Sequence, residues 1–144
     1  MISGTSAGFG RRIAALIYDG FLLAALLMLY TAVVIGPHGR AVTEKDSGSG
    51  WYVYRAGELL IIAAYFVLNW TRSGQTLGMR AWHLHAVSAA GRPLTLRAAL
   101  ARFLWALLAW APAGLGVLWL YVDSERLALH DRLSKTRLVH VSQA

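Results

Sequence analysis

Three stretches of the chain carry almost no charge, and nothing else constrains its fold so strongly. Residues 13–35 hold one ionisable carboxylate, Asp19; residues 51–70 hold only Arg55 and Glu58, both near the start; residues 103–122 hold no charge. At 1.5 Å per residue, 20 helical residues reach about 30 Å, the thickness of a bilayer's hydrocarbon core. Three such stretches in 144 residues leave no room for a water-soluble core. Composition agrees. The hydrophobic share is 57% and the charged share 15%, against roughly 45–50% and 25% in soluble domains, which also excludes disorder. Cysteine is absent, which removes disulfide scaffolds, thiolate metal sites and cysteine nucleophiles.

The expected fold is therefore an all-α integral membrane helix bundle, one domain over 1–144, with segments at about 13–35, 51–70 and 98–122. Trp51 and Trp70 bracket the second segment, where indoles favour the membrane–water boundary. The first segment follows Arg11 and Arg12 as a signal peptide's apolar region would. Asp19 interrupts it, however, and no small-x-small site follows, so an uncleaved membrane helix is expected. No internal repeat is visible, and residues 36–50 read as an exposed loop.

The third segment contains Pro112, Gly114 and Gly116 in its middle. Proline removes a backbone donor there, so the segment kinks or reverses. A single span leaves Lys and Arg evenly divided between the two sides. A hairpin near Pro112–Gly114 puts the N-terminus, loop 71–97 and tail 130–144 together. With Arg102 and Arg126 at the ends of the third segment, it then sets eleven basic residues against three (Arg40, Lys45 and Arg55), a strong bias to a cytoplasmic N-terminus, loop and tail. The loop's RAWHLHAV alternates and is followed by SAAGR and PLTL, a strand–turn–strand pattern. TRLVHV in the tail is a third β-prone run, so a small cytoplasmic β element is expected.

Three blocks resemble the RDD family of small bacterial membrane proteins, named for one arginine and two aspartates. RRIAALIYD is similar to its first-helix pattern, placing the signature at Arg12 and Asp19. GQTLGMRAWHLHAVSAAGRPLTLRAALAR resembles the segment after the second helix, with Gly74, Gln75, Thr76, Gly78 and Arg102 in place. LHDRLSKTRLV resembles the closing motif, with His130, Asp131 and Thr136. The resemblance implies the bacterial cytoplasmic (inner) membrane and a part in ion or small-solute transport, cation/proton exchange among the implied activities.

The same residues carry a physical reading of their own. Asp19 follows Arg12 by seven residues, about 10.5 Å along one helical face, too far for direct pairing. Arg12 is expected at the cytoplasmic interface and Asp19 deeper, where a carboxylate costs about 2.5–3.5 kcal/mol. Asp19 must then be paired or protonated, and Arg102 is its expected partner, in a proton or cation site or in an architectural ion pair. Asp131 is expected to pair with Arg12 or Arg80, or to cap a turn. His130–Asp131 is no catalytic dyad without a nucleophile elbow such as GxSxG. Gly74 and Gly78 have GxxxG spacing but lie past the apolar stretch, so a turn is the better reading. His83, His85, His130 and His140 suit the wet face of a sheet better than a metal site.

The expectation is thus no catalytic constellation, no metal, no cofactor and no nucleic acid, since the basic residues flank membrane segments. The partners are the lipid bilayer and a second copy or another membrane protein. Two function classes follow: a transport component, or a non-catalytic scaffold or accessory protein binding a partner through its cytoplasmic face.

Overall fold

The computed structural model of the protein describes residues 4–38, 48–110, 119–121, 123 and 127–141. In chain order the elements are strand β1 (Thr5–Ser6), helix α1 (Phe9–Ile35), a 3-10 turn (Gly36–His38), helix α2 (Ser49–Arg72) and helix α3 (Leu77–Ala81). Strand β2 (Leu84–Ser88), helix α4 (Leu96–Trp110), a second 3-10 turn (Trp119–Tyr121), helix α5 (Leu129–Leu133) and strand β3 (Thr136–His140) follow. The chain is mostly helical.

Helices α1 and α2 have 27 and 24 residues and are long and apolar enough to cross a membrane. They start earlier than expected, at Phe9 rather than 13 and at Ser49 rather than 51. Along α1, Phe21, Met28, Leu29 and Val33 are exposed, an outward apolar surface that suits lipid. Near the end where the chain turns from α1 toward α2, the Tyr30 and Tyr54 rings stack and the Thr31 and Tyr54 hydroxyls lie 2.7 Å apart. Of the third segment, the part up to Trp110 and Trp119–Tyr121 are described; the break expected near Pro112–Gly114 and most of loop 36–50 lie outside the described residues.

At the other end of α1 and α2 sits a three-stranded antiparallel sheet in the order β1-β3-β2. Leu84 pairs with His140 and Ser88 with Thr136, which joins the loop and tail runs as their alternation predicts. The remaining strand departs from expectation. PLTL is no strand: Pro93 has no amide hydrogen to give a ladder, and Thr95 caps α4 instead, its Oγ1 accepting from the Ala98 amide at 3.3 Å. The edge strand is Thr5–Ser6, which pairs with Val139 and His140. Gly4 lies against the His140 carbonyl so closely that a Cβ would not fit.

Loop 71–97 and tail 130–144 contain more order than a loop and a tail. Each holds the same unit, a five-residue helix, a two-residue turn and a five-residue strand: LGMRA–WH–LHAVS and LHDRL–SK–TRLVH. In both, the second turn residue is left-handed, with His83 and Lys135 at φ 53°. The strands meet around Ala86 opposite Leu138, so the two units are related by a local twofold. The two segments share only Leu77/Leu129, Arg80/Arg132 and Val87/Val139, which is why the repeat is invisible in the sequence.

The buried core lies where sheet and helices meet, and includes Ala15, Val67, Trp70, Met79, Leu84, Ala86, Phe103 and Leu138. Trp70, expected at the lipid boundary, is buried in it, with the Arg102 guanidinium 5.0 Å from its ring centroid.

Candidate functional site

Two buried carboxylates organise the junction of helices and sheet. The first, Asp131, comes from α5 and is fully buried. Arg12 on α1 and Arg102 on α4 each place Nη1 2.5 Å from one of its oxygens, Oδ2 and Oδ1 respectively. Arg12 also donates through Nε to the Ala7 carbonyl (2.9 Å), which fixes the passage from β1 into α1. Arg102 donates to Thr136 Oγ1 at 2.6 Å, and Ser134 Oγ lies 2.7 Å from the same hydroxyl. One carboxylate thereby joins α1, α4, α5 and β3. Burial alone pushes the Asp131 carboxyl up, but Arg102 and then Arg12 outweigh it and hold it below the usual carboxylate range. His130 Nε2 lies 3.4 Å from Asp131 Oδ1. Burial pushes this imidazole down to about 4, against the pull of Asp131, with Arg102 and Arg12 adding to the fall.

The second carboxylate, Asp19, is 2% exposed. Among the described residues it has no basic partner. Its Oδ1 accepts from the Tyr65 hydroxyl (2.6 Å) and the Gly78 amide (2.8 Å), and its Oδ2 from Thr76 Oγ1 (2.5 Å). Thr76 caps α3 at the same time, accepting from the Met79 amide at 3.2 Å. Gly78 is required by this approach: a Cβ there would run into the Ala15 carbonyl oxygen and lie 2.9 Å from Asp19 Cγ.

The pairing expected of Asp19 with Arg102 is therefore corrected. Arg102 is taken by Asp131, and α3 presents a capping hydroxyl and a free first-turn amide to Asp19 instead. Arg12 is a 7% exposed partner of Asp131, one of the two arginines expected for it, while the other, Arg80, is exposed. The stretch around Gly74 and Gly78 is only partly a turn. Gly74 takes the left-handed φ of 71° past α2, Gln75 Nε2 donates to the Leu84 carbonyl at 2.8 Å, and Gly78 lies within α3.

Of the residues singled out in the sequence, Arg12, Arg102, His130, Asp131 and Thr136 form one cluster, and Asp19, Thr76 and Gly78 a second. Gly74 and Gln75 shape the turn beside them. Sequence reasoning missed Tyr65, although a hydroxyl in the charge-free half of a membrane segment is the kind of signal that marks such a donor. It also missed Trp70 as the ring beneath Arg102. Among the described residues no three of His, Asp and Glu gather as metal ligands.

Both clusters open onto one cavity of about 260 Å³ between α1, α2 and α4, partly open at its rim. Asp19, Arg12, Arg102 and His130 line it together with Trp70; the rest of the wall, Leu16, Phe66, Phe103 and Ala106 among it, is apolar.

A sequence model described as "RDD family" matches residues 6–135. No curated protein and no solved structure matches the chain.

Proposed function

The chain belongs to the RDD family, a family of membrane proteins, and on that premise we propose that it is a multi-pass protein of the bacterial cytoplasmic membrane serving as a component of ion or small-solute transport. The observation that carries this reading is the cavity. A buried space between membrane helices, apolar over most of its wall and lined by an aspartate, two arginines and a histidine, is a place for a solute rather than a packed core. In this reading no bond is made or broken, and the protein is not an enzyme. The N-terminus faces the cytoplasm, following the excess of basic residues on that side. With few spans, the chain acts as a homo-oligomer or beside another membrane protein.

A second reading, a non-catalytic scaffold, is favoured by one detail: three donors satisfy Asp19 so completely that it needs no passing ion. Purified protein in liposomes with an internal pH dye separates the two. An imposed Na⁺ or K⁺ gradient should drive proton movement with the wild type. Asp19→Asn, which keeps on one oxygen the acceptor shared by Tyr65 and the Gly78 amide and turns its new NH2 to the Thr76 hydroxyl, should fold and lose it. Rates equal to empty liposomes for the folded wild type would reject transport and favour the scaffold.

A further inference from the structure

Among the described residues, the arginine end of the cavity holds more positive charge than its neighbours neutralise. Arg12 and Arg102, 7% and 3% exposed, share the single carboxylate of Asp131. The other carboxylate on the cavity wall, Asp19, lies about 10.5 Å along α1 from Arg12, and its oxygens are occupied by Tyr65, Thr76 and Gly78. Among the described residues, three buried donors of residues that line this cavity have no acceptor in the protein, Arg12 Nη2, Arg102 Nε and Trp70 Nε1, and His130 Nδ1 is a fourth nitrogen there without a partner. A buried donor left without a partner carries an uncompensated desolvation cost, larger when it is charged. Three of them around one cavity, beside a surplus guanidinium charge, define a place where an anion's oxygens fit. The rest of the wall is of opposite character. Leu16, Phe66, Phe103, Ala106 and Leu107 are apolar, and Leu107 is 42% exposed, so the wall reaches the apolar outer surface of the helices.

We propose that this cavity binds an anionic amphiphile, a carboxylate or phosphate head held by Arg12, Arg102 and Trp70 with an apolar chain lying along Phe66, Phe103 and Ala106. The inference rests on the preceding reading only in placing the cavity within the bilayer; it requires binding and no flux. The volume of about 260 Å³ sits just below the range of about 300–1,000 Å³ for small-molecule pockets, which suits one chain of moderate length better than a two-chain lipid wholly enclosed. Charge selects the head: a neutral alcohol leaves the surplus guanidinium charge unanswered. The tail supplies the remaining affinity through the apolar area it buries.

The test is photo-crosslinking of purified protein in a zwitterionic detergent with decanoate carrying a diazirine at its chain end, followed by peptide mapping. Labelling should saturate and map to peptides of α1, α2 or α4 that line the cavity. Unlabelled decanoate should compete at least tenfold better than decanol and tenfold better than inorganic phosphate. Ala106→Phe, which fills the apolar part and touches no charge, should reduce labelling at least tenfold. Trp70→Phe, which removes one donor and keeps an aromatic ring under Arg102, should weaken it several-fold. The proposal is overturned by equal competition from decanol, which would show a purely apolar groove. Equal competition from phosphate overturns it too, showing a free-anion site without a tail, as does unchanged labelling of folded Ala106→Phe. If that variant fails to fold, the wild-type competition series decides alone. Absence of ion flux in liposomes leaves these outcomes unaffected, so failure of the transport reading and failure of this site are separately visible.

Discussion

Two guanidinium groups on one fully buried carboxylate make Asp131 the residue whose loss does most harm. Asp131→Asn removes the negative charge from between Arg12 and Arg102 and should cost about 3–5 kcal/mol, the range for breaking a buried pair on one side. Adding Arg102→Gln removes one of the stranded charges, so the double variant should lie well short of the sum of the singles. A detergent melt of the four proteins measures the difference, and strict additivity would refute the shared pair. Asp19→Asn with Arg102→Gln makes the contrast: the two share no hydrogen-bond partner, so their effects should add to within about 0.5 kcal/mol. The sequence points Asp19 into the bundle with Arg102 and offers Asp131 an arginine or a turn to cap, but which cation meets which anion depends on how α3 and α5 approach α1. Spacing along a chain cannot resolve that choice once two short helices compete for the same wall. His130 adds a pH dependence. Its folded value of about 4 lies below the 6.5 of an unperturbed imidazole, so the unfolded chain takes up the proton first as pH falls. The associated stability is full above pH 6.5 and is lost on the way down, about 2 kcal/mol of it by pH 5. Asp131, also lowered, acts in the same direction but only below the ordinary carboxylate range. Melting temperature should therefore drop between pH 7.5 and 5 in the wild type and much less in His130→Gln.

At the scale of elements, α3 shows how a five-residue helix acquires a role larger than its length. Its Thr76 cap and Gly78 amide both reach Asp19, and Gly78 alone permits the backbone approach to Ala15. Gly78→Ala should push α3 from α1, break the amide bond to Asp19 and destabilise the protein by about 1–3 kcal/mol. Gly20→Ala, whose Cβ meets nothing within 4 Å, should leave the melting point unchanged or raise it, because alanine is the better helix former. Equal behaviour of the two variants would mean that the close approach is unnecessary. The membrane helices and the β2–β3 pair were legible because each carries a period or a length over many residues. The elements that escaped are short. Thr5–Ser6 is a strand only because the β3 edge receives it, and α3 and α5 have too few residues to show helical periodicity. PLTL misled for the converse reason, having strand-like residues but a proline and a helix cap within four positions.

For the whole molecule, the sheet ties together three parts of the chain far apart in sequence: β1 before α1, β2 after α2, and β3 near the end. Two helices long enough to cross a membrane separate β1 from β2, and the pairing of the strands requires that the chain leave and return to one side. The same holds from β2 to β3, so α4, 15 residues and about 22 Å long, begins a path that comes back to the sheet. Which side that is can be predicted from charge. Placing the N-terminus, the 71–102 region and the tail in the cytoplasm puts eleven of the fourteen Lys and Arg residues there, as expected of short loops flanking membrane helices. The absence of cysteine makes the orientation directly measurable. In intact cells, an impermeant thiol reagent should label Ser47→Cys and should fail to label Ser88→Cys or Ser142→Cys until the membrane is opened. Labelling of Ser88→Cys and Ser142→Cys from outside, with Ser47→Cys protected, would invert the protein. Labelling of Ser142→Cys together with Ser47→Cys would place the tail across the membrane from β2, which the β2–β3 pairing forbids, and would refute the sheet itself.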